Sequence, residues 1–141
     1  MNKLKMQGFT LMELMIIVVI VAILATIAYP SYDTFIRRSR MEQAKASIMA
    51  KSRDMERLYT KARSFTDASH PASAPASTDF FTIGFVGGAP QSDSYEIFAK
   101  PTNKNPNETQ GIYFNSIGTT MSRCDANTID QPSSRTNCEP Y

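Results

Sequence analysis

The residues able to do chemistry in this 141-residue chain are few, and the most telling is an acid in an apolar setting. In the stretch Gly8-Phe9-Thr10-Leu11-Met12-Glu13-Leu14, the carboxylate of Glu13 stands near the start of a run of about twenty apolar residues, the length of a membrane-spanning helix. Leu14 to Tyr29 carries no charge, while Met1 to Gly8 carries Lys3 and Lys5 and no acid. An ionised group inside such a span costs roughly 2–4 kcal/mol at mid-depth and less near the interface. The chemistry open to Glu13 is therefore ion pairing, with a cation held at the same depth. Cys124 and Cys138 are the other reactive pair. An even cysteine count in a membrane-targeted chain favours a disulfide formed outside the cytoplasm. A zinc site would need four ligands, and the only histidine, His70, lies far away in a Pro/Ala/Ser-rich stretch. Asp125 and Asp130 could lend oxygens to calcium but lack EF-hand spacing. No Asp/Glu pair on a rigid element and no phosphate-binding loop accompanies that single histidine, so no enzyme and no cofactor is expected. Gly87-Gly88 reads as a turn.

The elements that position these residues follow from periodicity. The basic start and apolar run could pass for a secretory signal, with Ala22, Ala25 and Ala28 as loosely spaced small residues. The run exceeds the usual 7–15 residues of such a peptide, and a retained helix is the better reading. Pro30 interrupts it, and a proline kinks or ends a helix. Helix-favouring sequence nonetheless resumes at once, with Met41, Ala44, Ile48, Met55, Leu58 and Ala62 on one stripe that Lys51 breaks. The expectation is one helix from about Phe9 to Ala62, bent near Pro30 and roughly 80 Å long. Its first half should protrude and its second half pack on a domain.

From Asp67 to Thr78 the composition shifts to Ala, Ser and Pro, a connecting stretch with little helix or strand propensity. Short strand-like runs then alternate with turn residues: Phe80–Val86, Tyr95–Ala99 ending at Pro101, Gly111–Ile117, and Thr119–Arg123. Hairpin-length connections predict an antiparallel sheet, and one face of it can bury the amphipathic half of the helix. The fold class expected is α+β.

Charge divides along the chain. From Asp33 to Arg63 nine basic residues face four acidic ones, a balance of +5; from Ser64 onward four face eight, a balance of −4. The head is thus mildly acidic, and its cations (Lys100, Lys104, Arg123, Arg135) form no dense cluster of the kind that tracks a phosphate backbone.

Taken together, a short basic leader ending in Gly8, then Phe9-Thr10-Leu11-Met12-Glu13-Leu14, an apolar helix, Pro30, an amphipathic helix, a small sheet and a C-terminal cysteine pair resemble the type IV pilins of Gram-negative bacteria. The sequence-specific part of the likeness lies in residues 8–32; beyond residue 65 it is one of layout. The resemblance implies a leader at 1–8, a transmembrane or filament-core half-helix at 9–31, an amphipathic half-helix at 32–64, a connecting loop at 65–79, and a sheet with a disulfide-bounded region at 80–141. It implies cleavage by prepilin peptidase between Gly8 and Phe9, N-methylation of Phe9, and pairing of Glu13 with the N-terminal amine of a neighbouring subunit. The implied partners are other pilin subunits, the peptidase and the pilus assembly machinery of the inner membrane. The chain would lie in that membrane, head in the periplasm, before joining an extracellular pilus. A minor subunit is favoured, supporting adhesion, aggregation, twitching motility or DNA uptake. A head that binds a host surface or DNA, as competence pilins do, is one alternative, and a type II secretion pseudopilin is another. Many major pseudopilins carry a calcium loop where this chain has Cys124 and Cys138.

Overall fold

The computed structural model describes residues 8–66 and 72–141, so Lys3, Lys5 and His70 lie outside the described residues. One helix, α1 (Leu11–Ala62), precedes five strands: β1 (Phe81–Phe85), β2 (Glu96–Pro101), β3 (Gln110–Asn115), β4 (Thr120–Asp125) and β5 (Glu139–Pro140). The chain forms two compact units, one up to Ile36 and one from Arg37 to Tyr141.

In the first unit, Thr10 starts the helix. Its hydroxyl oxygen accepts the Glu13 N–H at 3.2 Å and its carbonyl accepts the Leu14 N–H at 3.2 Å, which satisfies backbone donors that a helix start leaves open. Pro30 falls inside α1 and the helix continues through it. Having no N–H, Pro30 leaves the Thr26 carbonyl without its usual helical partner. The Thr34 hydroxyl donates to the Pro30 carbonyl at 3.1 Å.

In the second unit, α1 buries Met41, Ala44, Ile48, Lys51, Ser52 and Met55. This corrects the expectation that Lys51 breaks the stripe. Lys51 is only 8% exposed: its Nζ donates to Ser73 Oγ at 3.1 Å and lies 6.0 Å from the centre of the Phe85 ring. Its methylene stem covers apolar surface while the ammonium finds a hydroxyl and an aromatic face. Ser52 is accommodated similarly, by the Tyr95 hydroxyl at 3.0 Å. The helix closes with Arg63 in the left-handed region (φ 57°), its N–H reaching the Tyr59 carbonyl at 2.8 Å.

The strands lie in the order β1-β2-β3-β4-β5, each antiparallel to its neighbour. Period-two alternation puts Phe81, Ile83, Phe85, Ile97, Ala99, Ile112 and Phe114 in one core with the buried helix residues, with Phe65 and Tyr95 alongside. Full burial of a side chain such as Phe81 or Phe114 contributes about 1.5–3 kcal/mol. The sheet extends two residues beyond the expected end of β2 at Ala99, and Pro101 pairs with Phe81. Strand β5 was absent from the sequence expectation. It pairs with Ser122 and Arg123, and so covers the edge of β4.

The opposite edge is closed differently. Thr78 exchanges bonds with Phe81, and the Ile83 N–H donates to Ser77 Oγ at 2.9 Å. The Ala/Ser/Pro connection therefore satisfies the outward groups of β1, which would otherwise template pairing with another strand.

Candidate functional site

Two regions carry the residues singled out above, one in each unit. In the first unit, Glu13 stands in the opening turn of α1, and the 18-residue apolar window of this helix has a mean hydropathy of 2.9 with none of it buried. Gly8 and Phe9 precede the helix and are exposed. The sequence reading missed that Thr10-Leu11-Met12-Glu13 is also a capping-box pattern, Thr at the cap and Glu three residues on. That T-x-x-E spacing was the available signal. It explains why the helix begins at Leu11, and it leaves the Glu13 carboxylate free of any side-chain partner among the described residues.

In the second unit, Cys124 and Cys138 are bonded. The segment they bound crosses the sheet face opposite α1 as a strap. Ile129, fully buried, joins Val86, Tyr113 and Cys124 in a second small core. Room for it comes from Gly111, where a Cβ would meet the Ala99 carbonyl and stand 2.7 Å from Ile129 Cδ1. Polar contacts tie the strap to β2 and β3. Lys100 Nζ meets Asp130 Oδ2 at 3.1 Å. Arg135 reaches Glu96 at 3.4 Å and the Tyr113 hydroxyl at 3.1 Å, its guanidinium 3.8 Å above the Tyr113 ring. Burial, chiefly, pushes the Tyr113 phenol above its ordinary range.

These contacts settle where the head cations go. Lys100 and Arg135 are paired within the domain, and Arg123 lies 5.5 Å from the Tyr141 ring. Among the described residues, Lys104 is exposed with no such partner, as are Arg53, Lys61 and Arg63 on and after the helix. Asp125 accepts the Asn127 N–H, Asp130 is taken by Lys100, and no group of three possible metal ligands occurs among the described residues. A cleft of about 430 Å³ opens between the β2–β3 loop and the start of the strap, lined by Thr102, Asn103, Asn105, Glu108 and Asn127 among others. Asn105 is buried there, its Oδ1 accepting from Arg40 at 3.1 Å.

The C-terminal residue packs on the helix side. The Tyr141 hydroxyl donates to Glu42 Oε1 at 2.7 Å and Lys45 Nζ sits 4.0 Å from its ring centre. Burial and then the Glu42 carboxylate push the phenol up to about 12 from an ordinary 10. Because the folded value is the higher one, this contact stabilises fully below pH ~10 and is lost as pH rises through 10 toward 12. The thermal midpoint of the wild type should therefore fall more steeply across that window than that of Tyr141→Phe. Parallel curves would contradict the contact.

A long N-terminal helix packed on an antiparallel sheet, with an unburied apolar first half, defines the type IV pilin fold. The same fold is seen in the crystal structure of the Neisseria meningitidis non-core minor pilin PilV, with a TM-score of 0.55 at 18% identity, covering 71% of this chain and 98% of that one. A family model described as prokaryotic N-terminal methylation motif matches residues 3–29. Another, described as type IV minor pilin ComP, DNA uptake sequence receptor, matches residues 30–124, and the chain belongs to this family of type IV minor pilins. No curated protein matches the chain. The leader-type motif and apolar helix indicate membrane anchoring before pilus assembly, and the family is one of pilus subunits rather than enzymes.

Proposed function

We propose that this minor pilin serves DNA uptake, its head meeting incoming duplex DNA while its helix holds it in the pilus. The observation that carries this is the match of residues 30–124 to a family described as a DNA uptake sequence receptor. The exposed cations support it. Lys104 projects from the β2–β3 loop, and Arg53, Lys61 and Arg63 lie along the end of α1 and just past it. These cations are few, and the chain from Ser64 onward has a balance of −4, so binding should be weak and salt-dependent.

Every buried residue among those described lies at Met41 or beyond, so a fragment from about residue 36 keeps the whole core. A mobility-shift titration of that fragment with duplex DNA at two salt concentrations tests the proposal. Three phosphate contacts would give a log–log salt slope of about −3. An absence of binding at low salt would overturn it.

Incorporation follows from the other end of the chain. Prepilin peptidase cuts between Gly8 and Phe9 at the cytoplasmic face of the inner membrane, and Phe9 becomes a methylated cationic terminus four residues from Glu13. In a bundle of staggered helices, the Glu13 carboxylate meets the amine of an adjacent subunit, the alternative being unpaired charge in an apolar core. Pro30 gives the helix a bend as it leaves the span. The exposed Glu13, whose backbone N–H is capped by Thr10 and whose carboxylate has no side-chain partner among the described residues, supports this reading. The subunit then moves from the inner membrane, head in the periplasm, to the extracellular pilus.

A further inference from the structure

At the end of the apolar run and just past it, α1 carries three large aromatic side chains, Tyr29, Tyr32 and Phe35, which are 81%, 67% and 67% exposed. At 100° per residue they share an arc of about 120° on one side of the helix. Neither phenol has a hydrogen-bond partner among the described residues. A tyrosine with an exposed ring and an unpartnered hydroxyl suits a boundary where one end is apolar and the other wet.

We propose that Tyr29 and Tyr32 form an aromatic belt in the lipid headgroup layer, on the side of the bilayer away from the start of α1, and set the depth at which the subunit waits before assembly. The spacing argues for that occupant. From Leu11 to Tyr29 the helix rises about 27 Å, close to the roughly 30 Å of a hydrocarbon core, so both ends of this stretch reach its edges together. Tyr32 stands about 4–5 Å further out, within a headgroup zone roughly 5–7 Å thick, and Phe35, about 9 Å out, marks its outer rim. Tyrosine rings are enriched at this level of membrane helices because they bury the ring and hydrate the hydroxyl. With Tyr29 at one edge, Glu13 lies a few ångströms inside the other, near the amine of Phe9. The belt thus holds the assembly carboxylate at a constant height, and it rests on the reading of Leu11–Tyr29 as a retained span.

The chain has no tryptophan, so single substitutions report depth without background. The full chain is reconstituted in phosphatidylcholine–phosphatidylglycerol vesicles as Val19→Trp, Tyr29→Trp or Tyr32→Trp. Quenching is compared between a nitroxide on the headgroup and bromine deep in the acyl chains. Val19→Trp should be quenched mainly by the deep bromine, and the two belt positions mainly by the headgroup nitroxide. Belt positions quenched by neither, or by the deep bromine, overturn the proposal. A Val19→Trp chain quenched by neither overturns the span itself, and the belt with it. Adding Tyr29→Ala and Tyr32→Ala to Val19→Trp should increase its headgroup quenching, because the helix loses its stop. An unchanged profile shows that the aromatics do not set the depth.

Discussion

Replacing Glu13 by valine should leave a precursor that is processed and membrane-bound but does not enter filaments. With Leu11–Tyr29 as the proposed span, the carboxylate of the unassembled subunit sits near its edge, where hydration limits its cost, and valine there is harmless or favourable. The difference arises on bundling. On the proposed pairing, the wild-type carboxylate neutralises the Phe9 amine of a neighbour, whereas valine leaves that amine unpaired among apolar helices. At roughly 2–4 kcal/mol per unpaired group, incorporation should fall by about 30- to 700-fold.

The capping geometry at Thr10 adds a competing explanation that can be separated. Glu13→Gln keeps the length and polarity of the side chain while removing its charge. If charge pairing carries assembly, Glu13→Gln should fail nearly as badly as Glu13→Val. Thr10→Ala, which removes the hydroxyl that accepts the Glu13 N–H at 3.2 Å, should cost only about 1 kcal/mol of helix stability and leave incorporation largely intact. The measurement is the amount of each variant in sheared filaments against that in membranes. Normal incorporation of Glu13→Val would sink the pairing argument.

The second large effect is expected at the other end of the chain. Cys138→Ser in the head fragment should lower its stability by about 3 kcal/mol, the value for a loop of this length on an unfolded-state entropy account. For a domain of about this size that is a fall of roughly 10–20 °C in thermal midpoint. The structure explains why the other contacts do not hold the strap unaided. Both partners of the Lys100–Asp130 bridge are 37% exposed, and half-exposed pairs are worth little after solvent screening. Ile129 is fully buried but is one side chain in a small cluster. Once the bond is open, residues 125–137 should become accessible to protease while the helix–sheet core stays folded. An unchanged midpoint with unchanged protease resistance would show that the strap holds itself.

The contrast between Lys51 and the apolar stripe shows where sequence reasoning stops. Met41, Ala44, Ile48 and Met55 were legible because 3.6-residue periodicity depends only on neighbours along the chain. Lys51 was read as a break because its type is polar in any local window. What makes it a core residue is Ser73, 22 positions away, and the Phe85 ring on β1. Strand β5 is a similar case. Glu139-Pro140 has no strand propensity, and it pairs with β4 because the adjacent Cys138 is bonded to Cys124. Ser77 and Thr78, read as part of a featureless connection, close the β1 edge through contacts visible only once β1 is placed.

By itself the sequence determined the long helix, its uncharged first half, the lone carboxylate near its start, the α+β class and the likeness to pilins. Each of these rests on local pattern or on residue type at short spacing, where physical chemistry acts along the chain. Only the tertiary structure decided that Lys51 is buried, that the cysteine-bounded segment is a strap seated over Gly111 through Ile129, and that Lys100 and Arg135 are occupied within the head. Those outcomes depend on which distant residues meet, and burial, pairing and the availability of a charge are properties of the meeting rather than of the residue.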